Sequence, residues 1–129
     1  MNSIQKFANP AGRVLISLMF LMSGLGKISA YAATQGYMES HGVPGMLLPL
    51  VILTEVVGAL AIIIGYKTRI VAFLLAGFTL LSAFFFHHDF ANQMQMIMFL
   101  KNVSISGGFL FLVANGAGAF SFDNRSSAQ

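Results

Sequence analysis

One stretch of the chain, residues 47–65 (LLPLVILTEVVGALAIIIG), constrains the fold more than any other. It is apolar apart from Thr54 and a single carboxylate, Glu55. A helix of this length, at about 1.5 Å per residue, spans roughly the 30 Å hydrocarbon core of a bilayer. Insertion of a carboxylate there costs about 2.5–3.5 kcal/mol, so such a residue usually faces the protein interior and has a partner or a function. We therefore expect a membrane helix, and a partner for Glu55.

The composition is that of an integral membrane protein. Of the 129 residues, 57% are hydrophobic and 9% are charged, whereas a soluble domain carries about 25% charged residues. A soluble enzyme is therefore excluded. The seven Lys and Arg residues stand mostly at the ends of apolar runs, which is how membrane proteins set their topology, and we expect no nucleic-acid partner. The absence of cysteine excludes thiol–disulfide chemistry and cysteine-ligated metals.

Four apolar runs predict an all-α protein with four transmembrane helices, at about residues 11–29, 47–65, 70–86 and 94–114. The first run is short, and the small residues around Tyr31 that follow it allow a competing interpretation as a cleaved signal peptide. We expect it to be retained, with Arg13 and Lys27 reaching the membrane surfaces as snorkelling side chains. Short connections favour an up-down-up-down bundle, in one membrane domain of residues 1–129.

The segments outside these runs are polar and short. Tyr31 to Ser40 is compatible with a short helix on the membrane surface, and the tail from Ser121 to Gln129 is expected to fray. Four spans place both termini on one side of the membrane. That side collects five basic residues and the other side two, so the positive-inside rule places the termini in the cytoplasm. The five are Lys6, Arg13, Lys67, Arg69 and Arg125, and the two are Lys27 and Lys101.

Three charged residues fall in the predicted outer half of the bundle. Glu55 lies roughly 12 Å below the outer surface and Lys101 roughly 10 Å, from the rise per helical residue. We predict that Glu55 pairs with Lys101, with Lys27 and Asn102 as neighbours, around a polar pocket open to the outer surface. The alternative is a buried ion pair that only fixes helix register. No catalytic residue can be assigned.

The histidines and phenylalanines give weaker indications of a ligand than the charged residues do. His41, His87 and His88 are the weak candidates for a metal site, and we expect none because their spacing matches no zinc signature. The 13 phenylalanines would suit a quinone if an apolar, aromatic pocket adjoins the buried polar group. Core packing or lipid contact is the simpler interpretation for each individual phenylalanine.

Short segments throughout the chain resemble those of the DoxX family of small four-span membrane proteins. In chain order they are Gly24-Leu25-Gly26-Lys27-Ile28, Tyr37-Met38, Gly42-Val43-Pro44-Gly45, Leu48-Pro49-Leu50 with Glu55, Gly65 with Thr68-Arg69, Phe86-His87, Lys101-Asn102, Ser106-Gly107-Gly108 and Gly116-Ala117-Gly118-Ala119. The resemblance implies a four-helix bundle in the bacterial inner membrane. It also implies a link to respiratory redox chemistry, because the family is named after a subunit associated with a quinone-coupled sulfur oxidoreductase.

Three functions remain open on these grounds. The first is a membrane subunit of a quinone-linked redox system, with no catalytic activity of its own and with a redox enzyme as partner. The second is a non-catalytic scaffold or anchor for a partner protein, for which a fully packed bundle is expected. The third, a proton pathway through Glu55, ranks last because the inner halves of the spans offer almost no polar residues. A homodimer is a further alternative for the assembly.

Overall fold

The computed structural model describes residues 3–124, and this part of the chain is helical, without a strand. The helices are α1 (Ser3–Ser29), α2 (Tyr31–Ser40), α3 (Leu48–Ile64), α4 (Thr68–Phe86) and α5 (Gln93–Asn115), with a 3₁₀ turn at Gly45–Leu47 before α3. Helices α1, α4 and α5, and α3 together with its 3₁₀ turn, are long and apolar enough to cross a membrane. The predicted all-α fold with four transmembrane helices is confirmed.

The four long helices run antiparallel to their neighbours. In α4 and α5, Asn102 bonds to the Thr79 carbonyl and Ser106 to the Ala76 carbonyl, so the numbers rise on one helix as they fall on the other. In α1 and α3, Arg13 bonds to the Ile63 carbonyl and Ser23 to the Glu55 carboxylate, so these two helices also run in opposite directions. We call the end with the start of α1 and the α3–α4 turn the terminal side, and the end with α2 the distal side.

The observed helix bounds differ from prediction mainly in α1. It begins at Ser3, eight residues before the predicted start at residue 11, and contains Pro10. The contacts of this extension include the hydrogen bond from Arg13 Nε to Asn9 Oδ1 at 2.9 Å, the hydrogen bond from Asn9 Nδ2 to the Gly116 carbonyl at 3.4 Å, and the packing of the Phe7 ring on Phe120 with centroids 5.3 Å apart. The other three spans match prediction to within two residues. The short helix predicted after α1 is present as α2.

The middle of the bundle is closed by apolar side chains from all four long helices. Phe20 of α1 packs against Phe109 of α5, with ring centroids 5.5 Å apart. The remaining buried members of this core come from α3 and α4: Ala59, Ile62, Ala72, Leu75 and Ala76. Burial of such side chains excludes both lipid and water from the bundle axis, so the two sides of the bundle are separated by an apolar layer.

Arg13 holds the terminal side together and does not snorkel as predicted. Its side chain is buried, with only 1% of its surface exposed. Its guanidinium donates to the carbonyls of Ile62 at 3.2 Å and Ile63 at 2.9 Å, and also to the Phe120 carbonyl. The last carbonyls of a helix lack partners within the helix and carry partial negative charge. The end of α3 therefore offers carbonyl acceptors to Arg13 inside the bundle. Because the guanidinium has five N–H donors, it can bond to several of them while it stays buried.

The segment after α5 crosses the terminal side and completes this network. Phe122 N donates to the Ile64 carbonyl at 2.9 Å, and the Asp123 carboxylate accepts from the Lys67 N–H at 2.6 Å and the Thr68 N–H at 2.8 Å. Partial burial opposes ionisation of Asp123, but these backbone hydrogen bonds and the Arg13 charge hold its pKa below the usual range. The predicted fraying is wrong for residues 121–124. The rest of that tail, with Arg125, lies outside the described residues.

Removal of the Arg13 guanidinium should destabilise the bundle strongly. Arg13→Met removes the guanidinium donor from the carbonyls of Ile62, Ile63 and Phe120. The Ile62 carbonyl keeps the Gly65 N–H, and we expect the free energy of unfolding to fall by about 3 kcal/mol. Reversible unfolding in an SDS titration measures this. The control is Lys6→Met, which removes an exposed cation from the same helix and should change the value by less than about 0.5 kcal/mol. Equal stability of the two variants would contradict the assigned role of Arg13.

Candidate functional site

Glu55 lies on the buried face of α3 and is 6% exposed. Its Oε1 forms a salt bridge of 2.8 Å with Lys27 Nζ, and its Oε2 accepts a hydrogen bond of 3.1 Å from Ser23 Oγ. Lys27 Nζ also donates to Ser23 Oγ at 2.6 Å. The three side chains form a closed polar cluster between α1 and α3. The attraction between the two charges offsets part of the cost of removing them from water.

The sequence of α1 provides this geometry. Ser23 and Lys27 are four residues apart, so they lie on one face of the helix. Lys27 is in the last turn of α1, where the helix dipole favours a cation. Gly24 lies between them and lets α1 approach α3, since a Cβ there would lie 2.5 Å from Val56 Cγ2 and 3.2 Å from Glu55 Cβ.

The polar cluster adjoins a cavity of about 610 Å³ on the distal side of the bundle. Such a volume is within the range of about 300–1,000 Å³ found for small-molecule sites. The lining is mostly apolar and aromatic, with contributions from all five helices. Its aromatic members are Phe20, Tyr37, Phe78, Phe85 and Phe86. Its charged and amide members are Lys27, Glu55, Lys101 and Asn102, accompanied by His87 and several hydroxyl side chains.

All four predicted site residues line this cavity, but the ion pair differs from the prediction. Glu55 pairs with Lys27 and not with Lys101. Lys101 is exposed at the edge of the cavity, and the Asn102 amide donates to the Thr79 carbonyl at 3.3 Å. Helix periodicity identified the buried faces of α1 and α3, but the buried face of α5 carries Asn102, Ser106 and Phe109, and Lys101 is exposed. Periodicity also could not rank the distances between helices, which depend on the close approach of α1 to α3 at Gly24.

The three histidines lie near the ends of α2 and α4 and are not part of the ion pair, although His87 lines the same cavity. His41 Nδ1 is 3.0 Å from the Tyr37 carbonyl oxygen, His88 Nδ1 is 2.7 Å from the Phe84 carbonyl oxygen, and His87 Nδ1 is 3.0 Å from Gln95 Oε1. In residues 3–124 no three side chains from His, Asp and Glu come together as a metal site would require.

Helix α2 was not predicted to contribute to the site, yet it forms one wall of the cavity. Thr34, Tyr37 and Met38 line it, and Met38 is buried. Tyr37 also stacks on Phe86 of α4, with ring centroids 5.5 Å apart. The sequence signal for this contribution was Tyr37 in the middle of a short surface segment, because an aromatic ring needs an apolar neighbour to pack against.

Comparison with known proteins gives a consistent assignment. The family model described as DoxX matches residues 9–88, which include Lys27 and Glu55 and end before α5. The Escherichia coli inner membrane protein YqjF is 55% identical over 111 residues, covering 86% of this chain and 85% of YqjF. The E. coli inner membrane protein YphA is 38% identical, covering 88% of this chain and 86% of YphA.

An uncharacterized protein of Haemophilus influenzae is 31% identical over 122 residues, covering 88% of this chain and 86% of that protein. No solved structure gives a significant match. The family-model match covers more than half of the chain, and the three relatives cover most of it. The chain therefore belongs to the DoxX family.

Proposed function

We propose that this protein is a membrane subunit of a quinone-linked redox system, and that the cavity on the distal side binds the quinone. The observation that carries the proposal is the cavity of about 610 Å³ in which an ion pair adjoins apolar and aromatic side chains. The resemblance of the family to a subunit of a quinone-coupled enzyme supports the same function. In this proposal residues 1–129 form a single membrane domain.

The chemistry of the lining suits a quinone. The two carbonyl oxygens of a quinone ring accept hydrogen bonds, and Lys27, Lys101 and Asn102 carry N–H donors at the cavity. The aromatic and aliphatic side chains provide contact area for the ring and for an isoprenoid tail. We assign the electron transfer itself to a partner redox enzyme, so this chain would position the quinone without catalytic activity of its own.

The alternative function is a non-catalytic anchor for a partner protein. An anchor requires no ligand site, and a bundle packed throughout its length would serve it equally well. The core does reach this packing at the level of Phe20, Leu75 and Phe109. The distal half departs from it, because the cavity extends between the same helices there. This difference between the two halves favours ligand binding over anchoring alone.

We further propose that the protein lies in the bacterial inner membrane with both termini in the cytoplasm. Two relatives are named as inner membrane proteins. On the terminal side the described basic residues are Lys6, Arg13, Lys67 and Arg69, and on the distal side they are Lys27 and Lys101. The positive-inside rule then directs the terminal side to the cytoplasm and the cavity to the opposite side.

Quinone binding by the purified protein tests the central part of this proposal. Wild-type protein should bind a short-chain ubiquinone or menaquinone saturably, measured by equilibrium dialysis in detergent. Glu55→Gln removes the charge that fixes Lys27 and should weaken binding about tenfold, which corresponds to about 1.4 kcal/mol. The matched control, Glu39→Gln, neutralises an exposed carboxylate of α2 outside the cavity and should leave binding unchanged.

A second variant tests the cavity without changing its charge. Ser82→Phe adds bulk to a lining position and should abolish quinone binding, because the ring would fill the space that the ligand needs. Both variants should elute as wild type does in size-exclusion chromatography. Absence of saturable quinone binding by folded wild-type protein would overturn the quinone assignment and favour the alternative function as an anchor for a partner protein.

Reporter fusions test the orientation. A green fluorescent protein fused after Gln129 should be fluorescent, and alkaline phosphatase at the same position should be inactive, because the first folds in the cytoplasm and the second only outside it. Alkaline phosphatase inserted in the α4–α5 connection after Asp89 should be active. The reverse pattern would contradict the proposed orientation.

A further inference from the structure

Lys101 is a cation at the edge of the cavity without an acidic partner. Its side chain is exposed and lines the cavity. All four acidic residues of the chain lie within residues 3–124, and none of them forms a salt bridge with Lys101. Glu55 pairs with Lys27, and Asp123 accepts from the Lys67 and Thr68 amides on the terminal side. No acidic side chain of residues 3–124 therefore pairs with the charge of Lys101.

The depth of Lys101 makes this lack of a partner unfavourable. Helix α5 begins at Gln93, so Lys101 lies about 12 Å below the distal end of that helix at 1.5 Å per residue. An ammonium group at this depth in a transmembrane helix is expensive unless it faces a polar cavity or meets an opposite charge. Its place at the cavity edge gives it access to a bound ligand.

The cavity as a whole has an excess of positive charge. The lining contains two lysines and one carboxylate, and one lysine is neutralised by the salt bridge. A neutral ligand leaves the other lysine uncompensated, whereas an anionic head group on Lys101 balances the charge. In a medium of low dielectric constant this difference favours anionic ligands.

The apolar walls indicate that such a ligand also has a long hydrocarbon part. Leu50 of α3 and Leu81 and Phe85 of α4 line the cavity and are themselves exposed on the surface of the bundle. In a membrane this surface meets the lipid chains, so the cavity opens towards the hydrocarbon between α3 and α4. A tail can therefore extend from the cavity into the bilayer while the head group stays at Lys101.

We propose that the cavity binds long-chain amphiphiles with an anionic head group, a carboxylate or a phosphate, held by Lys101, and that they compete with the quinone. The competition rests on the proposed function, because it requires the quinone to bind in the same cavity. The binding of the amphiphile rests on Lys101 and the cavity alone. The head group can belong to a free fatty acid or to a phospholipid of the distal leaflet. The chemistry at Lys101 is the same for both sources.

Paired ligands of equal chain length measure the contribution of the charge. Dodecanoate and dodecanol are titrated against wild-type protein in a non-ionic detergent, with displacement of a fluorescent fatty acid as the signal. Wild type should bind dodecanoate at least tenfold more tightly than dodecanol. In Lys101→Met this preference should fall below twofold, and Lys101→Arg should restore it. Lys6→Met, the matched removal of an exposed lysine outside the cavity, should retain the full preference.

Two further measurements identify the source and the competition. If phosphatidylglycerol remains bound to wild type in native mass spectrometry and is lost from Lys101→Met, the ligand is a phospholipid. If no phosphatidylglycerol remains bound and dodecanoate still displaces the fluorescent fatty acid, the ligand is a free fatty acid. Added dodecanoate should weaken quinone binding by wild type at least fivefold.

The outcomes separate this inference from the proposed function. Equal affinity of wild type for dodecanoate and dodecanol, or a preference that persists in folded Lys101→Met, overturns the anionic site even if quinone binds. Quinone binding that dodecanoate does not weaken overturns the competition. Charge-dependent amphiphile binding without any quinone binding supports the site at Lys101 and overturns the quinone assignment.

Discussion

The salt bridge between Glu55 and Lys27 is the interaction on which the distal half of the bundle depends. A carboxylate in the middle of an apolar helix needs a partner, and Lys27 reaches it at 2.8 Å from the last turn of α1. This pairing requires α1 and α3 to lie close together, which Gly24 permits. The same polar cluster lies at the wall of the cavity that remains between the helices on the distal side.

The two sides of the bundle are built differently, and this difference assigns them different roles. On the terminal side, the buried Arg13 and the capping carboxylate of Asp123 satisfy the free ends of α3 and α4, and the segment after α5 joins them. An apolar layer that includes Phe20 and Phe109 closes the middle. On the distal side the ion pair of Glu55 and Lys27 adjoins a cavity. The terminal side therefore stabilises the bundle, and the distal side contains the cavity to which we assign the proposed ligand.

The sequence predicted the four spans, because they follow from length and hydropathy, and it named four of the residues that line the cavity. It did not predict the partner of Glu55, because that choice depends on how closely two helices approach. It also failed for Arg13, which was expected at the membrane surface, because the free carbonyls of α3 become its partners only when the chain folds back. Residues 121–124 were expected to fray for the same reason. The hydrogen bonds that hold them come from distant parts of the chain, which local composition does not show.

A double-mutant cycle between Glu55 and Lys27 tests the central claim most directly. Free energies of unfolding are measured for Glu55→Gln, Lys27→Met, the double variant and wild type, with a parallel cycle between Glu55 and Lys101. If the salt bridge joins α1 to α3 as described, the first cycle should give a coupling of about 1–3 kcal/mol and the second a value near zero. Additive effects in the first cycle, or a larger coupling in the second, would contradict the account.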